Sequence, residues 1–229
     1  MGDGQSVVDA LVAVVANHAE AAQQEWLQGT MGEIAGNPVL TKVRVAIARA
    51  ARKLKSEAVA LAGDASALPP GPDYGRWTLR DFGRAALVLT ACDALPAEDQ
   101  LTTVEALIRR SEAGEQVSLL RMALLLPEPA RFTPVLIDAC RTNSLDVFEA
   151  IACENPYVAQ HFPEANYNQV VLKAMFMEVA VERIVGLAER VNPEMVRMAS
   201  DFGDERRAAA RSIPEDIERI TALAKAKST

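Results

Sequence analysis

Ser6 to Gln28 reads SVVDALVAVVANHAEAAQQEWLQ. Val8, Leu11, Val15, Ala19, Ala22 and Trp26 recur every three or four residues, which lines one side of a helix with apolar groups. Ser6 is the expected N-cap, because its hydroxyl can accept from an amide of the first turn. His18 flanks the stripe and is read as a core histidine with satisfied hydrogen bonds. The chain as a whole is rich in alanine and leucine, and the β-branched and aromatic runs that strands favour are scarce, so its composition also points to helices.

The punctuation that follows is also helical. Gly36-Asn37-Pro38 stops one helix and starts another, with Asn37 as cap and Pro38 at the first helical position. That next helix is expected to reach about Leu61. Arg44, Arg49, Arg52, Lys53 and Lys55 make it locally basic, and the simplest account is a solvated face. Gly63 to Trp77 holds Pro69, Pro70, Gly71, Pro72 and Gly75, the main loop of the chain. Thr78-Leu-Arg-Asp81 is a capping-box variant opening a helix to about Cys92. Further helices start at Pro96, after Gly114, near Arg131 and Leu145, and at Pro163, Asn192-Pro193 and Pro214. The helix from Pro163 is expected to run to about Leu187.

About ten helices with short connections predict an all-α fold, an irregular multihelical stack of antiparallel helices. A HEAT-like superhelix is the alternative, although no repeat of fixed period is present. We expect a single domain over residues 1–229, with a possible sub-boundary at the loop 63–77.

The composition excludes several classes. Half the residues are hydrophobic, 24% are charged and 5% are aromatic, with a net charge of −7. An acidic surface repels phosphate backbones, so no nucleic-acid partner is expected. No apolar run approaches the roughly 18 residues of a membrane helix, so the chain is not expected to be an integral membrane protein. Met1-Gly-Asp-Gly-Gln-Ser6 carries no secretion signal, which points to the cytoplasm. Cys92, Cys140 and Cys153 sit in apolar contexts and are expected to be buried thiols. Phosphate loops, HExxH, CxxC and nucleophile elbows are absent, and two histidines with scattered cysteines make a poor zinc site. Neither a metal nor a cofactor is expected.

Polar residues between Arg141 and Arg211 interrupt the apolar pattern more than elsewhere. On the helix after Pro163, at about 100° per residue, Glu164, Asn168, Met175, Glu178 and Glu182 fall on what reads as the wetter side. Asn166, Gln169 and Lys173 fall among Val170, Met177, Ala180, Ile184 and Leu187, and such violations mark functional sites. A buried Lys173 needs a carboxylate partner or a pocket, and Glu205, Asp201 and Glu154 are the candidate partners. On the next helix Met195, Met198, Phe202, Ala209 and Ile213 form the expected stripe. Glu205 and Arg206 flank it, and Arg197, Asp204, Arg207 and Arg211 lie opposite as an ion-pair ladder. Glu154-Asn-Pro-Tyr157 is read either as turn chemistry alone or as a connection that places Glu154 and Tyr157 at a pocket rim, and the spacing leaves both open.

Taken together, Glu154-Asn-Pro-Tyr157, Phe162-Pro163, Asn168-Gln169, Leu172-Lys-Ala174, Arg190-x-Asn-Pro-Glu194, Arg197-Met198, Asp201-Phe202 and Glu205-Arg206-Arg-Ala-Ala209 resemble the EboA family. Arg141-Thr-Asn143 and Asp146-Val-Phe148-Glu149 fit as well, and the similarity covers about Leu136 to Pro214. The resemblance implies a bacterial protein of a specialised-metabolite pathway, encoded beside a prenyltransferase and sugar-isomerase-like enzymes. It supplies no catalytic residues.

The leading expectation is an accessory or binding protein that holds a polar metabolite or organises partner enzymes of the same operon, a membrane prenyltransferase among them. The alternative is a helical enzyme acting on a polar cyclic or prenylated small molecule through Lys173 or Glu205. The candidate ligand-binding residues are Arg141, Glu154, Asn155, Tyr157, Asn168, Gln169, Lys173, Arg190, Asn192, Arg197, Asp201, Glu205 and Arg206, expected to form one contiguous polar-lined surface.

Overall fold

A computed structural model of the protein describes residues 3–61 and 68–227. These residues form thirteen α-helices and no strand, with one isolated antiparallel bridge between Ala58 and Thr78. The fold is all-α. The chain divides into two compact units, Met1–Ala139 and Cys140–Thr229, so the division falls at 139/140 and the Pro/Gly-rich loop belongs to the first unit. Residues 62–67 of that loop lie outside the described residues.

The first unit contains α1 (Asp3–His18), α2 (Ala21–Gly36), α3 (Leu40–Lys53), α4 (Leu79–Ala94), α5 (Ala97–Arg110), α6 (Ala113–Arg121) and α7 (Thr133–Ala139). Helices α1, α2, α3, α5 and α6 all pack on α4, so the arrangement surrounds a central helix. Every residue of α4 from Leu79 to Cys92 is buried except Arg80 and Thr90. A helix covered on all sides must be apolar on all sides, and Phe82, Ala85, Ala86, Leu87 and Val88 meet that demand. At Gly83 an added Cβ would lie 2.2 Å from Leu54 Cδ1, so the missing side chain allows the end of α3 to approach.

Two charged residues nevertheless sit inside this helix. Asp81 and Arg84 are 3% and 4% exposed. The Thr78 capping box forms, with the Thr78 amide donating to Asp81 Oδ2 at 2.8 Å. The same carboxylate accepts from Ser118 Oγ at 2.6 Å and from Arg121 Nη1 at 2.8 Å. Arg84 donates to Ser118 Oγ (3.0 Å) and to the carbonyls of Gly114 (2.7 Å) and Ile47 (3.1 Å). Burial pushes the Arg84 pKa down, opposed by Glu115 and Asp81. One buried hydroxyl thus joins an acid and a base that both belong to α4, and ties α6 to it.

Helix boundaries depart from the sequence expectation where side chains cap ends without glycine or proline. The stretch from Ser6 to Gln28 is two helices. Glu20 and Gln23 form a capping box that starts α2, and Gln24 Nε2 donates to the carbonyls of Ala16 (2.8 Å) and Ala19 (2.9 Å), closing α1. Ser6 lies within α1 rather than at its cap, and His18 is exposed in the last turn. Asn37 caps the end of α2, while the N-cap of α3 is Val39. Helix α3 stops at Lys53 and leads into the extended segment that makes the Ala58 bridge.

The second unit contains α8 (Leu145–Ala152), α9 (Tyr157–His161), α10 (Glu164–Phe176), α11 (Leu187–Arg190), α12 (Pro193–Ala208) and α13 (Asp216–Lys227). The long helix expected from Pro163 to Leu187 is absent. Glu178 takes a left-handed φ of 59°, and the amides of Val179 and Glu178 return to the carbonyls of Ala174 (2.9 Å) and Met175 (3.3 Å). These two bonds end α10 as glycine usually ends a helix, here with a glutamate. Asn192 caps α12 as expected, accepting from the Met195 amide at 2.9 Å. The buried line of α12 is Met195, Ala199 and Gly203; Ala209 and Ile213 lie beyond its end.

The glycines of α2 give a direct test of local energetics. Gly29 and Gly32 are exposed, mid-helical, and an added Cβ would meet nothing within 4 Å. Gly29→Ala and Gly32→Ala should each raise unfolding free energy by about 0.5–1 kcal/mol, measured by urea denaturation. A loss of stability in either variant contradicts the open face. Conversely, Asp81→Ala leaves Arg84 and Ser118 buried without their acid and should cost about 3 kcal/mol or more; a calorimetric change below about 1 kcal/mol refutes the network's role.

Candidate functional site

The thirteen candidates fall into separate clusters. Lys173 meets none of the proposed carboxylates. Its ammonium donates to the carbonyls of Cys140 (2.7 Å) and Thr142 (2.5 Å) and lies 5.5 Å from the centre of the Phe148 ring. Burial lowers its pKa, and the Cys140 thiol opposes that shift. Burial likewise pushes the Cys140 and Cys92 thiols up to about 12, and all three cysteines are buried. Gln169 is exposed, Asn166 is half-buried and Asn168 is 2% exposed. The buried face of α10 is Tyr167, Val170, Val171, Ala174 and Met175. The phase read from the sequence was displaced because it continued through Leu187, beyond the real end of the helix.

Arg190 is a clamp for α9. Its guanidinium donates to the carbonyls of Val158 (3.0 Å), Ala159 (2.8 Å) and Phe162 (2.8 Å) and stacks 4.2 Å over Tyr167. The Tyr167 hydroxyl donates to the Val185 carbonyl at 2.8 Å. Asn168 and Asn192 exchange amide hydrogen bonds of 3.1 and 3.0 Å, joining α10 to the cap of α12. Asn155 is buried, donates to the Ala150 carbonyl and accepts from the Tyr157 amide. Tyr157 is fully buried between His161 and Phe162, away from any rim. Arg197 pairs with Glu194 and Asp201 on the exposed side of α12. Arg141 and Glu205 are exposed.

Glu154 belongs to a cluster whose centre the sequence did not signal. Arg183 donates to both oxygens of Glu149 (2.8 and 3.0 Å) and both of Glu154 (2.8 and 3.1 Å). Those hydrogen bonds raise the Arg183 pKa beyond its ordinary range. Glu154 has φ 49°, and its amide donates to the Arg183 carbonyl. The clue was a lone arginine in a stretch wrongly continued as helix.

Arg206, alone among the thirteen, lines a cleft of about 440 Å³ in the second unit. Met175, Glu178 and Ala180 contribute the end of α10; Ser212, Pro214, Glu215 and Asp216 contribute the segment entering α13. Arg206 donates to the Ser212 carbonyl at 2.5 Å and to its hydroxyl at 3.3 Å, and its guanidinium lies 5.7 Å from the centre of the Phe202 ring. Burial raises the Asp216 pKa; the Val181 amide and Arg219 oppose this, while Glu182 and Glu215 add to it. One residue lining the cleft, Glu178 (φ 59°), is left-handed without being glycine, and so is Ala210 (φ 52°), two residues before Ser212. Left-handed non-glycine residues carry strain and cluster at functional sites. The cleft falls in the size range of small-molecule pockets and offers both signs of charge above an apolar patch. Among the described residues, no cluster of three His, Cys, Asp or Glu side chains could hold a metal ion.

The comparisons with known proteins agree with the resemblance. The family described as metabolite traffic protein EboA matches residues 7–222, and the chain belongs to this family. The match includes the N-terminal helices, well beyond the Leu136 to Pro214 segment that the sequence motifs covered. No curated protein and no solved structure matches the chain. Among the described residues, no helix is long and apolar enough to cross a membrane.

The Lys173 geometry changes the expectation for its removal. Lys173→Met strands two backbone carbonyls instead of a carboxylate, so the cost should be about 1–2 kcal/mol in urea denaturation. A loss above about 4 kcal/mol would point back to a buried acid partner.

Proposed function

We propose that this chain is a non-catalytic metabolite-binding protein, seated at the cleft between the ends of α10 and α12 and the start of α13. Membership of the metabolite traffic family supports a role in a metabolite trafficking pathway. The observation that carries the finer reading is where polar side chains still face open volume. Lys173, Arg190, Asn155, Asn168 and Asn192 are engaged with protein groups. Glu178 and Glu215 border the cleft beside Asp216, which accepts from the Val181 amide, and Arg206, which donates to Ser212. A ligand there would meet hydrogen-bond acceptors, one guanidinium and the Met175 side chain, a set suited to a polar metabolite with one apolar face.

The enzyme reading through Lys173 or Glu205 has less support. A nucleophilic or basic lysine needs a free lone pair and room for substrate. Lys173 donates to two carbonyls, which commits its ammonium to the backbone. Glu205 is exposed on α12, and no described residue pairs with its side chain.

The test is metabolite capture on full-length protein co-expressed with its operon neighbours, read by mass spectrometry. Ala180 is exposed and lines the cleft, so Ala180→Trp should fill it without disturbing the core. The expected result is loss of a co-purifying metabolite at an unchanged melting temperature. Equal retention by wild type and variant would sink the assignment of the cleft.

A further inference from the structure

The segment from Asn37 to Ser56 contains six cations, Lys42, Arg44, Arg49, Arg52, Lys53 and Lys55, and no carboxylate, in a chain whose net charge is −7. The structure gives these charges a shape. Val43, Ala46, Ile47 and Ala50 are buried, and the other side of α3 is open. At 100° per residue, Lys42, Val45, Arg49, Arg52 and Lys53 share one arc of about 100°, and all five are exposed. Val45 is 51% exposed and Val39, at the N-terminal end, 49%.

The charges on this arc are not neutralised from elsewhere. Lys55, off the arc, pairs with Glu20 at 3.0 Å, and Arg44 donates to the Arg110 carbonyl at 3.2 Å. Lys42, Arg49, Arg52 and Lys53 make no ion pair with any described residue. Ordinary helix faces intersperse glutamate at three- or four-residue spacing to relieve such repulsion. This one does not, so its own charges destabilise it slightly until an anion covers them.

We propose that the open face of α3 is a docking surface for an anionic lipid bilayer, which it meets side-on. The occupant follows from the character of the face. Its cations are long and flexible, and no described residue pairs with their side chains, which suits a diffuse array of headgroup charge. Val45, Ala48 and Thr41 keep the surface between them low and weakly apolar. Protein interfaces instead centre on aromatic and arginine anchors in pockets and are depleted in lysine; this face carries two lysines and has no aromatic residue among Lys42, Val45, Arg49, Arg52 and Lys53. The acidic remainder of the chain, which brings the net charge to −7, keeps attachment reversible.

The test is co-sedimentation of the full-length protein with phosphatidylcholine vesicles, with and without about one-third phosphatidylglycerol. Wild type should bind only the anionic vesicles and should be released by about 0.5 M salt, where the Debye length is only a few ångströms. The exposed triple variant Lys42→Gln/Arg49→Gln/Arg52→Gln should keep its melting temperature. Its partition onto anionic vesicles should fall more than tenfold, at roughly fivefold per charge removed. The proposal is overturned if wild type ignores anionic vesicles, if the triple variant binds them equally, or if light scattering shows instead a salt-sensitive dimer that the variant loses. That last outcome would make an acidic protein surface, a second copy of this chain, the true occupant.

Discussion

In the first unit everything leans on a hydroxyl and a carboxylate buried in the middle of an apolar assembly. Five helices pack around α4, and such a helix would ordinarily be free to rotate or slide among equivalent apolar contacts. Asp81, Ser118 and Arg84 remove that freedom. The carboxylate is fixed at the N-terminal end of α4 by Thr78 and receives Ser118 from α6. Arg84, one turn on, reaches the same hydroxyl and the carbonyl of Ile47 in α3. Hydrogen bonds demand one register where hydrophobic contact tolerates several, and a buried group left unpaired is penalised. The network therefore contributes more to a single arrangement than to raw stability. A well-packed apolar substitute could equal its energy.

The second unit is governed by a different constraint, the ends of short helices. Each helix leaves amides at its start and carbonyls at its end without intrahelical partners. Helix α9 has five residues and α11 has four, so their ends are a large share of their backbone. Arg190 answers three carbonyls around the end of α9, and Lys227 answers Glu189 and Val191 around the end of α11. Lys173 does the same for the turn before α8. Polar side chains that break an apolar stripe are thus accounted for without any ligand. What remains after this accounting is small, which is why the cleft beside Arg206 carries the functional argument.

The same two constraints decide what the sequence could reveal. Boundaries marked by local chemistry were legible: the Thr78 capping box and the Asn192 cap before Pro193 form as their residues imply, while the break at Asn155 forms with Glu154, and not the asparagine, in the left-handed conformation. Boundaries set by ordinary residues were not. Nothing distinguishes Glu20 with Gln23 from a helical surface until the two side chains are seen to cap α2. Nor does Glu178 announce a left-handed helix end, where glycine is the usual sign. That single miss displaced the phase of α10, exchanged the faces of Asn168 and Gln169, and suggested a carboxylate for Lys173. The Glu149–Arg183–Glu154 cluster was hidden by the same error, since Arg183 lies in a 3-10 turn rather than on a helix.

Charge provides the last step. A binding protein in a trafficking pathway has to receive a ligand and release it elsewhere, so its surface must distinguish places as well as molecules. Here the two kinds of contact are segregated along the chain. The cleft of the second unit brings Glu178, Glu215 and Asp216 together around one arginine. The α3 face of the first unit gathers cations without a single acid. A phosphate-bearing surface is drawn to α3 and repelled by the rest of the chain, and the effect falls within a Debye length. A small ligand with amine or hydroxyl groups experiences the reverse preference. On the two proposals made above, segregation of this kind would let one acidic protein meet a charged surface and a polar metabolite through separate groups, neither competing for the other's side chains.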